Sequence, residues 1–388
     1  MQDGTCAVVI DNGSSNIKAG FAGDGAPRTV FPPIIGRPRN QVPTNPAHES
    51  DTYIGAEARA KRGILTLNYA VKFGEINDWD AITTLWQHIH TSELSVQPDA
   101  QPVLMTEGAY PWKQSREKTT QIVFETLRAP AFYAANSAAL ALYAAGRATG
   151  MVVESGGQVT QSMGVHEGLV MRDTVYKSSY AGDDFTEYLA RLLYWRDDVE
   201  WLAADMELLR LVKEKLCYVA EEASLETEKF LGEKERGVER GRGIEREYEL
   251  PDGRVITVGL ERFGVPETLF DACRLGLSEG ALHVKLYNSI HACSADPRGD
   301  MARNIVLAGG NTMFPGFADR LQAIMARDLK DRSARVIAPA DRTYSAWVGG
   351  SILSSLSTFR TKWISKQDYE EAGPSIVHRK CAWADTGE

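Results

Sequence analysis

The feature that most constrains this chain is a block of strand, acid and small-residue turn that occurs twice. Ala7-Val-Val-Ile10 is an apolar run that stops at Asp11-Asn-Gly-Ser-Ser15 and restarts with alternating polarity near Ile17, the pattern of a β-hairpin with a glycine-containing turn. Met151-Val-Val153 then runs into Glu154-Ser-Gly-Gly-Gln158 and restarts as Val159-Thr-Gln-Ser-Met-Gly164. Two such copies about 140 residues apart predict an internally duplicated protein with one hairpin per lobe and a cleft between the copies. A third block, Asn304-Ile-Val-Leu-Ala308 followed by Gly309-Gly310-Asn311, reads as a strand entering a glycine turn, with a helix from about Pro315 to Leu329. Further helices are expected at Trp79–His90, Arg116–Leu127, Ser137–Gly146, Asp183–Tyr194 and Met206–Ala223. Hairpins alternating with helices predict an α/β protein with mixed sheets.

At 388 residues the chain exceeds what one compact core usually supports, so two lobes are expected. A net charge of −9 disfavours duplex nucleic acid and suits basic partners. The five cysteines, Cys6, Cys217, Cys273, Cys293 and Cys381, are scattered and show no zinc spacing, so they read as reduced thiols. Ala138–Gly146, the most apolar segment, is too short to cross a bilayer, and the N-terminus lacks a basic region followed by an apolar stretch. The expectation is a cytosolic or nuclear protein with no membrane partner.

Two segments stand apart. Glu221 to Glu249 is dense in Glu, Lys and Arg, with Gly232, Gly237, Gly241 and Gly243 interspersed, and reads as a solvated surface excursion until Tyr248-Glu-Leu-Pro-Asp-Gly253 turns into a strand. Val42 to Ser50, with Pro43 and Pro46, reads as an exposed loop.

Turns of small residues present successive backbone N–H groups as a concave anion site, to which Ser14, Ser15 and Lys18 can add donors. Asp11 and Glu154 end their strands where a carboxylate can hold Mg²⁺ through water. Taken singly, Asp-Asn-Gly is first of all a hairpin turn. The repetition, together with the third glycine block, favours phosphate. No GxxxxGK[ST] or GxGxxG occurs, so this is neither a P-loop nor a dinucleotide fingerprint.

These residues belong to a wider pattern that resembles the actin family. It includes Asp11-Asn-Gly-Ser14, Lys18-Ala-Gly-Phe-Ala-Gly-Asp24, Ala26-Pro-Arg28, Gly36-Arg-Pro-Arg39, Lys61-Arg-Gly-Ile-Leu-Thr-Leu67 and Arg116-Glu-Lys118. It continues through Lys213-Glu-Lys-Leu-Cys-Tyr-Val-Ala220, Gly349-Gly-Ser-Ile-Leu353, Trp363-Ile-Ser-Lys-Gln367 and Gly373-Pro-Ser-Ile-Val-His-Arg-Lys-Cys381. The resemblance implies an α/β actin-like ATPase fold, two duplicated lobes around a nucleotide cleft. Residues 1–144 would form the first lobe, with an insertion at about 33–70, and 145–340 the second, with an insertion at about 182–262; 341–388 would return to the first. It implies ATP or ADP with Mg²⁺ or Ca²⁺. Asp11 and Glu154 would face the hydrated metal, and Gly13, Ser14, Ser15, Asn16, Lys18, Gly156, Gly157, Gln158 and Val159 the phosphates. Gly182, Lys213, Glu214, Gly309, Gly310, Asn311, Met313, Phe314 and Thr343 would complete the nucleotide site. A hinge would lie near Ala138 to Arg147, and a barbed-end cleft for partner helices would be lined by Tyr143, Gly146, Leu169, Val348, Ile352, Leu353 and Leu356. Ile352, Leu353 and Leu356 equally fit the spacing of simple core residues.

Departures from the family pattern fall at functional places. The water-orienting glutamine is Ser137 and its helper histidine is Gln161, an amide that can orient water but not shuttle a proton. Ser15 replaces a glycine, so a left-handed backbone there would cost more. The lysine beside the base is Thr343, and the often methylated histidine is Phe73. The subunit-binding loop becomes Val42-Pro-Thr-Asn-Pro-Ala47, whose lost apolar area removes on the order of a few kcal/mol per contact. The N-terminus has only Asp3 before the first strand, and Lys362 and Ala382 to Glu388 alter the barbed-end rim.

The expected function is that of a divergent actin-like cytoskeletal protein, at most a weak ATPase, acting as a structural or complex subunit. The alternative is a polymerising ATPase actin of a divergent lineage. A sugar kinase of the same superfamily is disfavoured by the actin-like tail. Expected partners are actin-binding proteins at the barbed-end cleft, conventional actin or a larger complex, with self-assembly disfavoured.

Overall fold

The computed structural model describes residues 6–39, 52–196, 199, 201–202, 205–235, 244–331 and 333–381. The expected loop at Val42 to Ser50, Asp3 and Ala382 to Glu388 lie outside the described residues. The chain divides into two compact units. The first holds Met1–Val152, Met163–Arg172 and Tyr344–Glu388; the second holds Val153–Ser162 and Asp173–Thr343.

The first unit is built on a six-stranded mixed sheet in the order Ile364–Ser365, Ala131–Asn136, Val103–Glu107, Val8–Asn12, Ile17–Phe21, Thr29–Phe31. Val8–Asn12 and Ile17–Phe21 pair antiparallel as the expected hairpin, with Asp11 opposite Lys18. Val8–Asn12 runs parallel to Val103–Glu107, which runs parallel to Ala131–Asn136. Alternation along these strands divides the core in two. Val8, Ile10, Val103, Met105, Phe132 and Ala134 point into a cluster with Ile82, Leu85, Trp86 and Phe124. Val9, Leu104, Ala131 and Ala135 face the other way, onto Leu140, Trp347 and Trp363. On that second face the helix Ser345–Ser355 lies directly on the helix Ser137–Ala144. A Cβ on Gly349 would drive into the Leu140 carbonyl, so only glycine permits the approach. Trp347 is wholly buried and donates its indole N–H to the Val9 carbonyl at 3.0 Å.

A further sheet has five strands in the order Leu169–Ser178, Thr160–His166, Gly150–Ser155, Ile305–Ala308, Val336–Ile337. The second expected hairpin is thus present, and the third block forms its strand at Ile305–Ala308. That block then adds a short 3₁₀ turn, Gly310–Met313, before its helix begins at Phe317. Buried Ser155, Thr160 and Ser162 on these strands are reconciled with the core by hydroxyl pairs, Ser155 to Thr160 at 2.8 Å and Ser162 to Ser289 at 2.7 Å.

Several expected elements are revised. The helix predicted over Met206–Ala223 ends at Leu216, because the following backbone is taken by distant partners: Tyr218 N–H donates to the Arg262 carbonyl and Val219 N–H to the Pro315 carbonyl. The charged segment from Glu221 is not simply a solvated excursion. Ala223–Glu235 is helical, Phe230 packs on a cluster of Ala220, Ala223, Ile244 and Phe263, and Arg246–Glu249 pairs with Val255–Val258. The helices predicted at Trp79–His90 and Arg116–Leu127 run Trp79–His88 and Lys113–Gln121, and each passes into a π-helical turn, Ile89–Glu93 and Ile122–Thr126. Ser137–Ala144 stops two residues before Gly146, whose φ is +68°.

Candidate functional site

In the first unit the candidate residues gather at the C-terminal ends of three parallel strands, the end at which open α/β sheets place ligands. Asp11, 8% exposed, receives donors on both carboxylate oxygens: the Lys18 ammonium at 2.7 Å on Oδ2 and the Thr106 hydroxyl at 2.7 Å on Oδ1. The Asn12 N–H donates to the same Thr106 hydroxyl, and the Asn12 side-chain oxygen accepts from the Trp86 indole at 3.0 Å. The turn is therefore locked on both sides of the acid. Gly13 is required inside it, since a Cβ there would lie 2.6 Å from the Asn16 carbonyl oxygen. Ser14 is fixed differently, its hydroxyl accepting the Gly74 N–H at 2.9 Å.

The expected cost at Ser15 does not arise, because Ser15 is absent from the non-glycine residues with positive φ. Phe73 is among them, at φ 51°, in the turn joining Val71–Lys72 to Glu75–Ile76. Ser137 opens the helix Ser137–Ala144 and is buried beside its N-cap, Asn136, whose side-chain oxygen accepts from Ala138 and Ala139 N–H.

The second unit holds its turn by another route. The Gly156 carbonyl accepts the Gly182 N–H at 3.0 Å and the Gly157 carbonyl accepts the Asp183 N–H at 2.7 Å, so two consecutive carbonyls cap the start of the helix Gly182–Tyr194. In a trans peptide the C=O and the following N–H point in opposite directions. The N–H groups of Gly157 and Gln158 are therefore turned away from that helix as a pair of donors, the arrangement that receives an anion. Gln158 adds a side-chain tie, its amide donating to Asp183 Oδ2 at 2.9 Å. Asn311 bridges from the third block, its Nδ2 donating to the Gly156 carbonyl and to the Ser155 hydroxyl. Gly309, at φ +88°, lies so close that a Cβ would strike the Ser155 carbonyl, and a Cβ on Gly182 would come within 2.9 Å of Asn311 Oδ1. Arg342 secures the third block by donating to the Thr312 carbonyl, the Thr312 hydroxyl and the Pro339 carbonyl.

Glu154, ahead of this turn, accepts the Gln161 amide at 2.7 Å on Oε2. Lys213 is 4% exposed and donates to the Gly182 carbonyl at 2.5 Å and the Thr186 hydroxyl at 2.8 Å; burial pulls its ammonium down to about 8. Gly156, Gly182, Asn311 and Lys213 are thus joined by hydrogen bonds, Gly157 and Gln158 meet at Asp183, Glu154 and Gln161 pair with each other, Gly309 packs against Ser155, and Val159 closes the turn by accepting the Gly156 N–H. Phe314 is buried, while Glu214, Gly310 and Met313 are exposed and Thr343 is half-buried next to Arg342. Sequence reasoning missed Thr106, Ser155, Asp183 and Thr186, all second partners of residues it had named.

The proposed partner cleft falls wholly within the first unit. Leu353, Val348 and Tyr143 pack against the Trp347 cluster, whereas Leu169, Ile352 and Leu356 are exposed, so the helical stripe is divided between core and surface. Among the described residues no group of three or more His, Cys, Asp or Glu is placed to hold a metal directly, and no helix is long and apolar enough to cross a membrane.

Both duplicated turns, the third glycine block and the tail lie inside a single stretch, residues 2–382, that matches the family model described as Actin. Members of that family generally bind nucleotide with a divalent metal. Spanning all but seven residues of the chain, the match makes this protein a member of the actin family.

Proposed function

We propose that this chain is a divergent actin-like cytoskeletal protein that binds ATP or ADP with Mg²⁺ or Ca²⁺ and serves mainly as a structural or complex subunit, with weak or absent hydrolysis. The observation that carries the binding half is the second turn, whose Gly156 and Gly157 carbonyls accept from the start of the helix Gly182–Tyr194, so that the N–H groups of the same peptides point away from that helix. Phosphate suits that cradle. The buried Gln161 Oε1, which accepts no hydrogen bond among the described residues, fits a group that brings its own donors.

In this reading Gly13, Ser14, Ser15, Asn16 and Lys18 receive phosphate from the first turn, and Gly156, Gly157, Gln158 and Val159 from the second. Asp11 and Glu154 hold the hydrated metal, and Gly182, Lys213, Glu214, Gly309, Gly310, Asn311, Met313, Phe314 and Thr343 border the rest of the nucleotide. A bound divalent cation supplies charge neutralisation to the phosphates. Hydrolysis is weak because residue 137 is a serine, whose hydroxyl is too short to hold water as a glutamine amide does. Phosphoryl transfer depends mostly on positioning, so that loss costs orders of magnitude in rate while binding survives. Actin-binding proteins at the Tyr143 to Leu356 rim, conventional actin or a larger complex are the proposed partners, in a cytoplasmic or cytoskeletal setting.

A second reading, a polymerising ATPase of a divergent lineage, is favoured by Gln161, whose buried amide beside Glu154 is able to orient a water. Phosphate release and sedimentation, followed together after addition of Mg²⁺ and salt to ATP-loaded protein, separate the two. The subunit reading expects neither pelleted protein nor stoichiometric phosphate. Filaments that release phosphate would replace it with the second reading.

A further inference from the structure

Gln161 lies on the strand Thr160–His166 with 3% of its surface exposed and donates Nε2 to Glu154 at 2.7 Å. An ionised carboxylate only accepts, so the orientation of the amide is settled: the nitrogen faces Glu154 and Oε1 faces away. Oε1 is buried and accepts no hydrogen bond from any described residue. A fold retains a buried carbonyl acceptor in that state where a ligand or water brings the missing donor.

The chemistry of that donor is narrow. A phosphate oxygen would set lone pair against lone pair, and an apolar group would leave the acceptor unpaired. A water can donate one O–H to Gln161 Oε1, and a water polarised by a cation is the strongest such donor. Hydrated Mg²⁺, which gives up its waters reluctantly, presents donors of this kind to neighbouring oxygens. The first unit offers a contrast, since both Asp11 oxygens already receive donors from Lys18 and Thr106.

We infer that Gln161 is an outer-sphere ligand for the hydrated divalent cation, acting beside Glu154 through its amide oxygen. This rests on the nucleotide-and-metal reading above and goes beyond it, assigning cation retention to a residue whose position the family pattern associates with water orientation for hydrolysis.

The test uses the full chain loaded with ATP. Mg²⁺ affinity is measured by calorimetric titration for wild type, Q161L, Q161M and Q161E, with ATP affinity in excess chelator and metal-free melting measured alongside. Q161L and Q161M are expected to bind Mg²⁺ at least tenfold more weakly, with chelator-condition ATP affinity within twofold of wild type. Q161E keeps acceptors at this place and is expected to bind Mg²⁺ at least as tightly as wild type. A purely structural role predicts the opposite order, since a second carboxylate beside Glu154 is the most disruptive of the three. Should one apolar variant fail to melt cooperatively, the other carries the comparison. Mg²⁺ affinity within twofold of wild type in a folded Q161L or Q161M, or Q161E as weak as the apolar variants, overturns the inference and leaves nucleotide binding standing. Wild type that binds no ATP under either condition overturns the reading beneath it, and the inference with it.

Discussion

Asp11 is fastened by an ammonium and a hydroxyl, Glu154 by a neutral amide, and the turns behind them are anchored just as differently. The first turn depends on side chains: Lys18 and Thr106 on the acid, Trp86 on Asn12, Ser14 on the Gly74 N–H. The second depends on backbone, two carbonyls capping a helix and a third block pressed against it through glycine. Sequences that look like copies therefore reach similar turns by unlike means. Charge compensates the first acid within its own unit, whereas the second receives the Gln161 amide on Oε2. The second turn should consequently be sensitive to shape and the first to charge.

Gly309→Ala probes shape most severely. It combines a left-handed backbone with a collision at the Ser155 carbonyl, and a loss of about 4 kcal/mol is expected in chemical denaturation. Lys18→Met probes charge. It strips a largely buried carboxylate of its cation while keeping the stem, at a cost of about 3 kcal/mol that high salt should leave largely unchanged. If Gly309→Ala proves mild while Lys18→Met is severe, the contrast between the turns is reversed.

The pH dependence sharpens the same comparison. Lys213, which anchors the Gly182 carbonyl, is pulled by burial from 10.5 to about 8. The unfolded chain thus binds more protons between those values, and stability should rise with pH through that window, by about 3 kcal/mol. Lys213→Met should flatten the rise in a denaturation series from pH 7.5 to 10.5. Gln158→Ala removes one neutral hydrogen bond to Asp183 and should cost about 1 kcal/mol, against the larger loss at Lys18. The smallest effect belongs to Asp368 in the first unit, whose carboxyl Lys380 and then Ser365 hold down to about 2. Its contribution is present above its ordinary value near 3.8 and disappears as pH falls toward 2, so Asp368→Asn should flatten only the acid limb.

Much of this was legible in the sequence because hairpins advertise themselves. An apolar run, an acid and a small-residue turn mark Val8–Phe21 and Gly150–His166 without help from anything distant. The end of the helix Met206–Leu216 was not legible, since no glycine or proline marks it and the backbone that stops it donates to Arg262 and Pro315. The helix Ala223–Glu235 was hidden by its charge, which masked the single aromatic, Phe230, that packs it down. Within the site, Asp11 and Glu154 could be named from position. Their partners Thr106 and Gln161 could not be assigned, because those pairings depend on strand register and side-chain orientation. Ser15 shows the converse, a predicted strain that the turn avoids by staying out of the left-handed region.

The measurement that bears most directly on the account is the identity of the nucleotide kept by purified, Mg²⁺-loaded protein after hours in polymerising salt, read by denaturing extraction and chromatography. Intact ATP at one per chain is the result predicted by the proposal that the turns hold phosphate and that Ser137 fails to hold the attacking water. ADP in its place would contradict the account and give precedence to the polymerising ATPase.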